Sequence, residues 1–564
     1  MLRSLLPRSS RTAARSARRQ LTVEVLEDRC LLSADVVLEW NAIALDAMVN
    51  DSFLGAAAKQ AGPTRASRAL AIEQAAVFDA VNSIDRSYDP YLIEVNAPRD
   101  ASITAAAAQA AHDTLVALYP DFQATLDARL TADLAGISSA LARDEGVLVG
   151  HIVAESILAV RSHDGAEVAM PYTPGNQPGQ WQPDPLHPAQ MALGSLWGSV
   201  TPFTLRSAEQ FHVPPPPALN SQAYTDAFNE VMAVGSATSA TRTAEQTEIG
   251  IFWGYDGSRG LSTPPRLYNQ IAETLAVQQH NSVIQNARFF ALINLAMGDA
   301  GIACWDAKYD YNFWRPVTAI RAAGTDGNPD TMADPNWTPL GAPADNGSGT
   351  NFTPPFPAYA SGHATFGGAL FRIMADFYGT DNIHFSFTSD EFNGITRDQN
   401  GVVRPVVTRS WDSFSQAAEE NGQSRIYLGI HWRFDKVEGI MQGTEIADYI
   451  FRHFLRASHD DGHGHDGDGG RHDSGRVFEV NADRELAYAV SITAAGPALA
   501  PVHLHRDQEL EVHNDFRLNS DSAPTNLAVK VETSHLKPTA DGNPAHDLDA
   551  VLRSPDLLDI FGKP

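Results

Sequence analysis

Ser67-Arg-Ala-Leu-Ala-Ile-Glu-Gln-Ala-Ala-Val77-Phe-Asp-Ala80-Val81-Asn-Ser-Ile84 reads as a helix. Val77, Ala80, Val81 and Ile84 recur at i, i+3, i+4 and i+7, the spacing that lines one face of a 3.6-residue turn. Ala-rich segments of the same kind recur over 102–118, 124–160, 223–234, 266–300, 363–378, 413–428 and 436–455. Period-two alternation is scarce, and no motif repeats at a constant period. Pro-rich connectors at 171–188, 213–218 and 353–357 separate the segments. The pattern predicts an all-α fold, a large helical bundle with long loops over residues 36–455.

Composition agrees with one large folded body carrying appendages. The chain has 564 residues, 43% of them hydrophobic, enough to bury a sizeable core. A net charge of −27 repels phosphate backbones and argues against nucleic acid as a partner. No run of about 18 apolar residues occurs, so no ordinary transmembrane segment is expected. Two cysteines, Cys30 and Cys304, exclude a disulfide framework and any Cys-rich metal site.

The ends differ from the middle. Residues 1–35 carry Arg3, Arg8, Arg11, Arg15, Arg18 and Arg19 with no acid before Glu24, the pattern of a targeting segment. Leu26-Glu-Asp28-Arg-Cys-Leu31 resembles the Leu-Glu-Pro-Arg-x-Leu export segment of planctomycete surface and secreted proteins, with Asp28 in the proline's place. The chain is therefore expected to be exported, to the periplasm, the cell surface or beyond. Removal of the segment would take Cys30 and leave Cys304 as a lone buried thiol. Residues 456–475 form a His/Asp/Gly-rich linker, in which His459, His463 and His465 offer at most a loose metal site. Residues 476–564 form a C-terminal region of unread role, with strand-like stretches at Val477 to Val480 and Leu527 to Val531.

Three segments carry unusual chemistry for so acidic a chain. In Trp305-Asp-Ala-Lys308-Tyr-Asp-Tyr-Asn-Phe-Trp-Arg315-Pro316 the two cations are seven apart. At ~100° per residue they project from one helix face, about 10.5 Å apart along the axis. Pro316 disfavours helical geometry at Arg315 and sets it at the helix end. In Pro354-Pro-Phe356-Pro-Ala-Tyr-Ala-Ser361-Gly362-His363-Ala-Thr-Phe-Gly-Gly368 the prolines hold an extended lead-in and the apolar run starts a helix. Ser361 becomes the N-cap and Gly362 offers a first-turn amide at the positive end of the helix dipole.

The third segment is Ser424-Arg425-Ile-Tyr-Leu-Gly429-Ile-His431-Trp-Arg-Phe-Asp435. Arg425 and His431 would diverge by about 240° on one helix, so a chain break at Gly429 is expected. Asp435, four after His431, can fix the imidazole tautomer. Arg425 calls for a carboxylate partner, with Glu248 or Asp256 as candidates. Each piece alone is weak. Together they supply three cations, two imidazoles, a hydroxyl and an amide, a set suited to a tetrahedral oxyanion. Charge-assisted hydrogen bonds of roughly 1.5–3 kcal/mol each would hold it despite the acidic background.

Lys-x6-Arg-Pro, Ser-Gly-His and Ser-Arg-x5-His-x3-Asp resemble the phosphatidic-acid-phosphatase type 2 superfamily. Within it, Phe356 to Ala369 and Trp314-Arg-Pro-Val-Thr-Ala-Ile320 look like the vanadium-dependent haloperoxidases, with Ala360 where the superfamily commonly has Pro. The resemblance implies vanadate as prosthetic group, or phosphate in its place. It implies His431 as the ligand to the metal, with Lys308, Arg315 and Arg425 neutralising the oxyanion and Ser361 and the Gly362 N–H donating to it. His363 would be the acid–base group acting on hydrogen peroxide, and Lys308 would polarise the bound peroxide. Halide, bromide or chloride, would then be oxidised to hypohalous acid, which halogenates a small organic acceptor in solution. Phe356 and Trp305 match the aromatic pair of fungal chloroperoxidases, where algal bromoperoxidases carry a His at the first. Two other readings stand beside this one. One is an acid phosphatase with a phosphohistidine at His431 and His363 protonating the leaving group. The other is an exported, non-catalytic oxyanion-binding protein.

Overall fold

A computed structural model describes residues 35–458 and four strands between 476 and 533. The expected export segment and the linker histidines lie outside the described residues. Helices α1 (Val36–Ser52), α2 (Gly62–Asp85), α3 (Ile103–Leu118), α4 (Gln123–Ala135) and α5 (Ala140–Arg161) form the first half, with strand β1 (Ile93–Asn96) after α2. Helices α6 (Gln222–Val234), α7 (Ala244–Phe252), α8 (Pro264–Gln279), α9 (Val283–Tyr311) and α10 (Pro316–Ala322) follow the long Pro-rich loop. The second half is completed by α11 (Gly362–Tyr378), the hairpin β2 (Phe385–Asn393) and β3 (Val406–Trp411), α12 (Phe414–Tyr427) and α13 (Arg433–His453).

The fold is the expected helical bundle. Two stretches that read as single segments are each divided. Residues 124–160 split into α4 and α5, where Ser139 caps α5 by accepting from Ala142 N–H. Residues 266–300 split into α8 and α9, where Ser282 and Gln285 form a reciprocal capping box. Three helices, α1, α7 and α10, went unread because they are short or carry little one-sided periodicity. The hairpin also went unread. Its first strand alternates buried Phe385 and Phe387 with exposed Ser386 and Thr388, and those hydroxyls pair across to Ser410 and Thr408 at 2.7 Å.

Helix α9 spans 29 residues, about 43 Å at 1.5 Å per residue. It is the one described helix long and apolar enough to cross a membrane, and 94% of that window is buried inside the protein. α11 packs against α9 on one side and α13 on the other, so the N-terminus of α11 meets the C-terminal turn of α9. In the first half α2 packs against α9, and α3 and α5 pack on α2 in turn, which keeps α2 buried nearly all round.

Residues 456–458, assigned by composition to the linker, instead dock on the bundle: Asp89 N–H donates to the Arg456 carbonyl at 2.7 Å and Ser458 N–H to Ser87 at 3.0 Å. Beyond them, β4 (Arg476–Asp483), β5 (Ala487–Thr493), β6 (Val502–His503) and β7 (Leu527–Thr533) form a sheet with β1, in the order β1-β7-β4-β5-β6. β7 runs parallel to both β1 and β4.

Candidate active site

The three chemistry-bearing segments meet where α9, α11, α12 and α13 begin or end. One placement differs from the sequence expectation: Lys308 and Arg315 do not share a helix face. α9 stops at Tyr311, Asn312 turns left-handed at φ 49°, and Arg315 is the extended N-cap residue of α10 at φ −82°, ψ 155°. Pro316 imposes that extended backbone, and the reversal swings Arg315 under the Phe356 turn. There its Nε donates to the Phe356 carbonyl at 2.9 Å, and its Nη1 to the Ile430 carbonyl and His431 Nε2, both at 2.8 Å.

Lys308 sits in the last turn of α9, fully buried. Its ammonium donates to the carbonyls of Pro357 (3.0 Å), Ala358 (3.1 Å) and Ala360. All three protons are used, so Lys308 fastens the turn that presents Ser361. Ser361 is the N-cap of α11, yet its hydroxyl makes no cap bond and has no partner among the described residues.

His431 stands between α12 and α13. α12 ends at Tyr427 and the chain turns at Gly429, whose φ is +74°. A Cβ there would lie 2.4 Å from the Gly235 carbonyl oxygen, so glycine is required on both counts. The break lets Arg425 and His431 face one space. His431 Nδ1–H donates to Asp435 Oδ2 at 2.7 Å, and the same oxygen accepts the Trp432 N–H at 3.1 Å. With Nδ1 protonated, Nε2 carries the lone pair.

His363, in the first turn of α11, donates its Nε2–H to the Gly254 carbonyl at 2.8 Å. Arg425 pairs through Nη2 with Asp256 Oδ1 at 2.5 Å. Asp256 is thus the expected carboxylate partner, while the other candidate, Glu248, binds Arg409 at 2.9 Å. The Gly254 carbonyl had no sequence signal, because any residue type supplies one and it lies 109 positions from its donor.

Burial dominates the electrostatics. It pulls Lys308 down to about 7, with the like charge of Arg315 adding to the effect. It pulls Arg315 down to about 9, helped by Arg425. It pushes His363 down to about 3, again helped by Arg425, and His431 well below its ordinary value. Asp435 is pushed up to about 7 by burial, opposed by its Trp432 hydrogen bond and by Lys308 and Arg315. Both imidazoles are therefore neutral. Trp305 and Phe356 lie 4.8 Å apart, and Lys308 sits over both rings at 5.4 and 5.1 Å. Both rings line a cavity of about 280 Å³ with His363, His431, Arg425 and Asp256.

Residues 288–460 match the family model of the VCPO second helical-bundle domain. Over 309 residues the chain is 40% identical to vanadium chloroperoxidase of Curvularia inaequalis, covering 48% of this chain and 49% of that one. The chain is similar to vanadium haloperoxidases in its second helical half. It spans about half the length of the curated relative it matches. Among solved structures, a bacterial vanadium-dependent iodoperoxidase superposes with a TM-score of 0.61 at 26% identity, covering 75% of this chain and 98% of that one. A bacterial vanadium-dependent chloroperoxidase in its apo form shares the fold, with a TM-score of 0.53 at 16% identity over 69% of this chain and 93% of that one.

The similarity to vanadium-dependent enzymes raises vanadate as the group to test, and the residues present fit such an oxyanion. Arg315 Nη2, Arg425 Nε and Ser361 Oγ are buried donors without a partner among the described residues. Three buried cations meet two carboxylates, Asp256 and Asp435, so the site carries surplus positive charge that a bound oxyanion offsets.

Proposed function

We propose that this chain is a vanadate-dependent haloperoxidase that oxidises bromide or chloride with hydrogen peroxide to hypohalous acid. The observation that carries the reading is the orphaned donor set, Arg315 Nη2, Arg425 Nε and Ser361 Oγ, together with a neutral imidazole, His431, whose Nε2 accepts from Arg315 Nη1 and would exchange that bond for the metal. Bound vanadate would supply the Lewis-acid centre that activates peroxide toward halide. His431 Nε2 would be its protein ligand, held in register by Asp435. Arg315, Arg425, Ser361 and the Gly362 N–H would hold the oxygens, and Lys308 would add charge from behind the Ser361 turn.

His363 would take a proton from hydrogen peroxide at Nδ1, since Nε2–H is committed to Gly254. A ring held down to about 3 is a weak base. The negative charge of a bound oxyanion raises it toward the range in which a general base works. The same ring then returns the proton to the departing oxygen, so that peroxide, halide and one proton give hypohalous acid and water. The acceptor would be a small organic molecule met in solution. The basic segment 1–35 supports export of the enzyme.

The test uses one purified sample stripped of phosphate. Bromination of a diketone dye with hydrogen peroxide is measured with and without orthovanadate, beside hydrolysis of a phosphate monoester. Bromination that requires vanadate and disappears in His431→Ala is the expected result. Ester hydrolysis inhibited by vanadate, without bromination, would make the chain a phosphatase with His431 as nucleophile. Silence in both assays with vanadate still bound would leave an oxyanion-binding protein.

A further inference from the structure

The groups that face His363 and Arg425 come from a loop, residues 253–263, between α7 and α8. Gly254 accepts from His363 Nε2 at 2.8 Å and Asp256 pairs with Arg425 at 2.5 Å, while the Trp253 carbonyl lies 3.5 Å from Arg425 Nη1. A loop sets these directions only if it is itself held. The support comes from strand β2. Ser389 Oγ donates to the Phe252 carbonyl at 2.7 Å, Asp390 N–H to Tyr255 Oη at 2.8 Å, and Glu391 Oε1 accepts the Tyr255 N–H at 2.9 Å.

Glu391 is fully buried. It approaches the loop so closely that a Cβ on Gly254 would lie 2.2 Å from its Oε1. Its Oε2 accepts from Arg404 Nη1 at 2.6 Å, and Arg404 Nη2 lies 2.6 Å from Asp345 Oδ1. Asp345 N–H donates to Ser258 Oγ at 3.1 Å, which ties the same cluster to the far end of the loop. Two buried carboxyls thus share one guanidinium. Burial and the Asp345 charge push the Glu391 carboxyl well above the usual carboxylate range.

We propose that Glu391, backed by Arg404 and Asp345, is a positioning residue for the oxyanion site: it fixes the 253–256 loop, and through it the Nε2–H tautomer of His363 and the direction of Arg425. The proposal rests on the haloperoxidase reading only for the identity of the anion, since phosphate would use the same geometry.

The test compares Glu391→Gln, Glu391→Ala, Gly254→Ala and the Glu391→Ala/Gly254→Ala double variant. The first readout is the His363 tautomer from imidazole nitrogen shifts in histidine-labelled protein, assigned by the signal missing in His363→Gln. The second is the affinity for orthovanadate, and separately for phosphate, by binding titration. Glutamine keeps the side-chain shape and still accepts from the Tyr255 N–H, so Glu391→Gln is expected to keep the tautomer and to stay within ~3-fold in affinity. Glu391→Ala and Gly254→Ala are each expected to mix the tautomers and weaken binding by more than ~10-fold, the scale of lost outer partners at metal sites. The double variant is expected to add little to Glu391→Ala, because both changes break one contact.

A folded Glu391→Ala with wild-type tautomer and affinity would overturn the proposal, as would equal losses in Glu391→Gln. Should Glu391→Ala fail to fold, Gly254→Ala decides alone: wild-type behaviour there also overturns it. Absence of bromination in the parent enzyme would sink the haloperoxidase reading while leaving the tautomer and phosphate results to judge Glu391.

Discussion

His431 and His363 line one cavity and are 3% and 7% exposed, yet the chain holds them in opposite ways. Behind His431 stands a carboxylate, Asp435, four residues away on the first turn of the next helix. Behind His363 stands a neutral carbonyl, Gly254, on a loop from a distant part of the chain. The carboxylate fixes the Nδ1–H tautomer and enriches the Nε2 lone pair, which suits a ligand. The carbonyl fixes the opposite tautomer without adding charge, so the basicity of His363 is left to whatever anion sits in the site. Burial is shared; on the proposed function, the group behind each ring would separate ligand from base.

The contrast fails if the two histidines can be exchanged in effect. The largest loss is expected in His431→Ala: orthovanadate affinity down by more than ~100-fold, beyond the 10–100-fold typical of lost outer partners, and bromination below detection. Near-normal bromination in that variant would remove His431 from the ligand role. His363→Ala is expected to leave affinity within a few-fold while kcat falls by about 10²–10⁴, the usual worth of a positioned acid–base group. A fall in affinity with kcat preserved would reverse the assignment. Asp435→Asn keeps an acceptor near Nδ1 but removes its charge. It is expected to weaken vanadate binding by ~10–100-fold, read by titration, with a smaller effect on kcat at saturating vanadate.

The same contrast explains how much of the molecule was legible in the sequence. Local chemistry was legible. Apolar spacing gave the bundle, the four-residue step from His431 to Asp435 gave their contact, and Gly429 gave the break between Arg425 and His431. Long-range chemistry was not. The Gly254 carbonyl, the β2–β3 hairpin and the Glu391–Arg404–Asp345 cluster act across loops whose closure no local periodicity reports. Arg315 shows the boundary between the two. Pro316 announced an extended residue, but the left-handed turn at Asn312, which takes Arg315 off the Lys308 face, depends on contacts made after folding. The capping box at Ser282 and Gln285 was a readable signal that would have divided 266–300 into its two helices.

The smallest effect isolates His363 without any cofactor. Its folded value is about 3, against an ordinary unfolded value near 6.5. Between those limits the unfolded chain binds the extra proton. This contribution to stability is therefore complete above about pH 6.5 and is lost as pH falls toward 3. His363→Gln removes it, while His431, also held neutral by burial, is common to both proteins and cancels in the difference. Denaturant unfolding of vanadate-free protein should show the wild-type chain losing ~1.4 kcal/mol per pH unit relative to His363→Gln between about pH 6 and 4. Saturating phosphate should shrink that slope, because an anion beside the ring stabilises its charged form. Parallel pH profiles in the absence of any anion would mean that the ring titrates alike in the folded and unfolded chain, and its basicity would then not depend on the anion in the site.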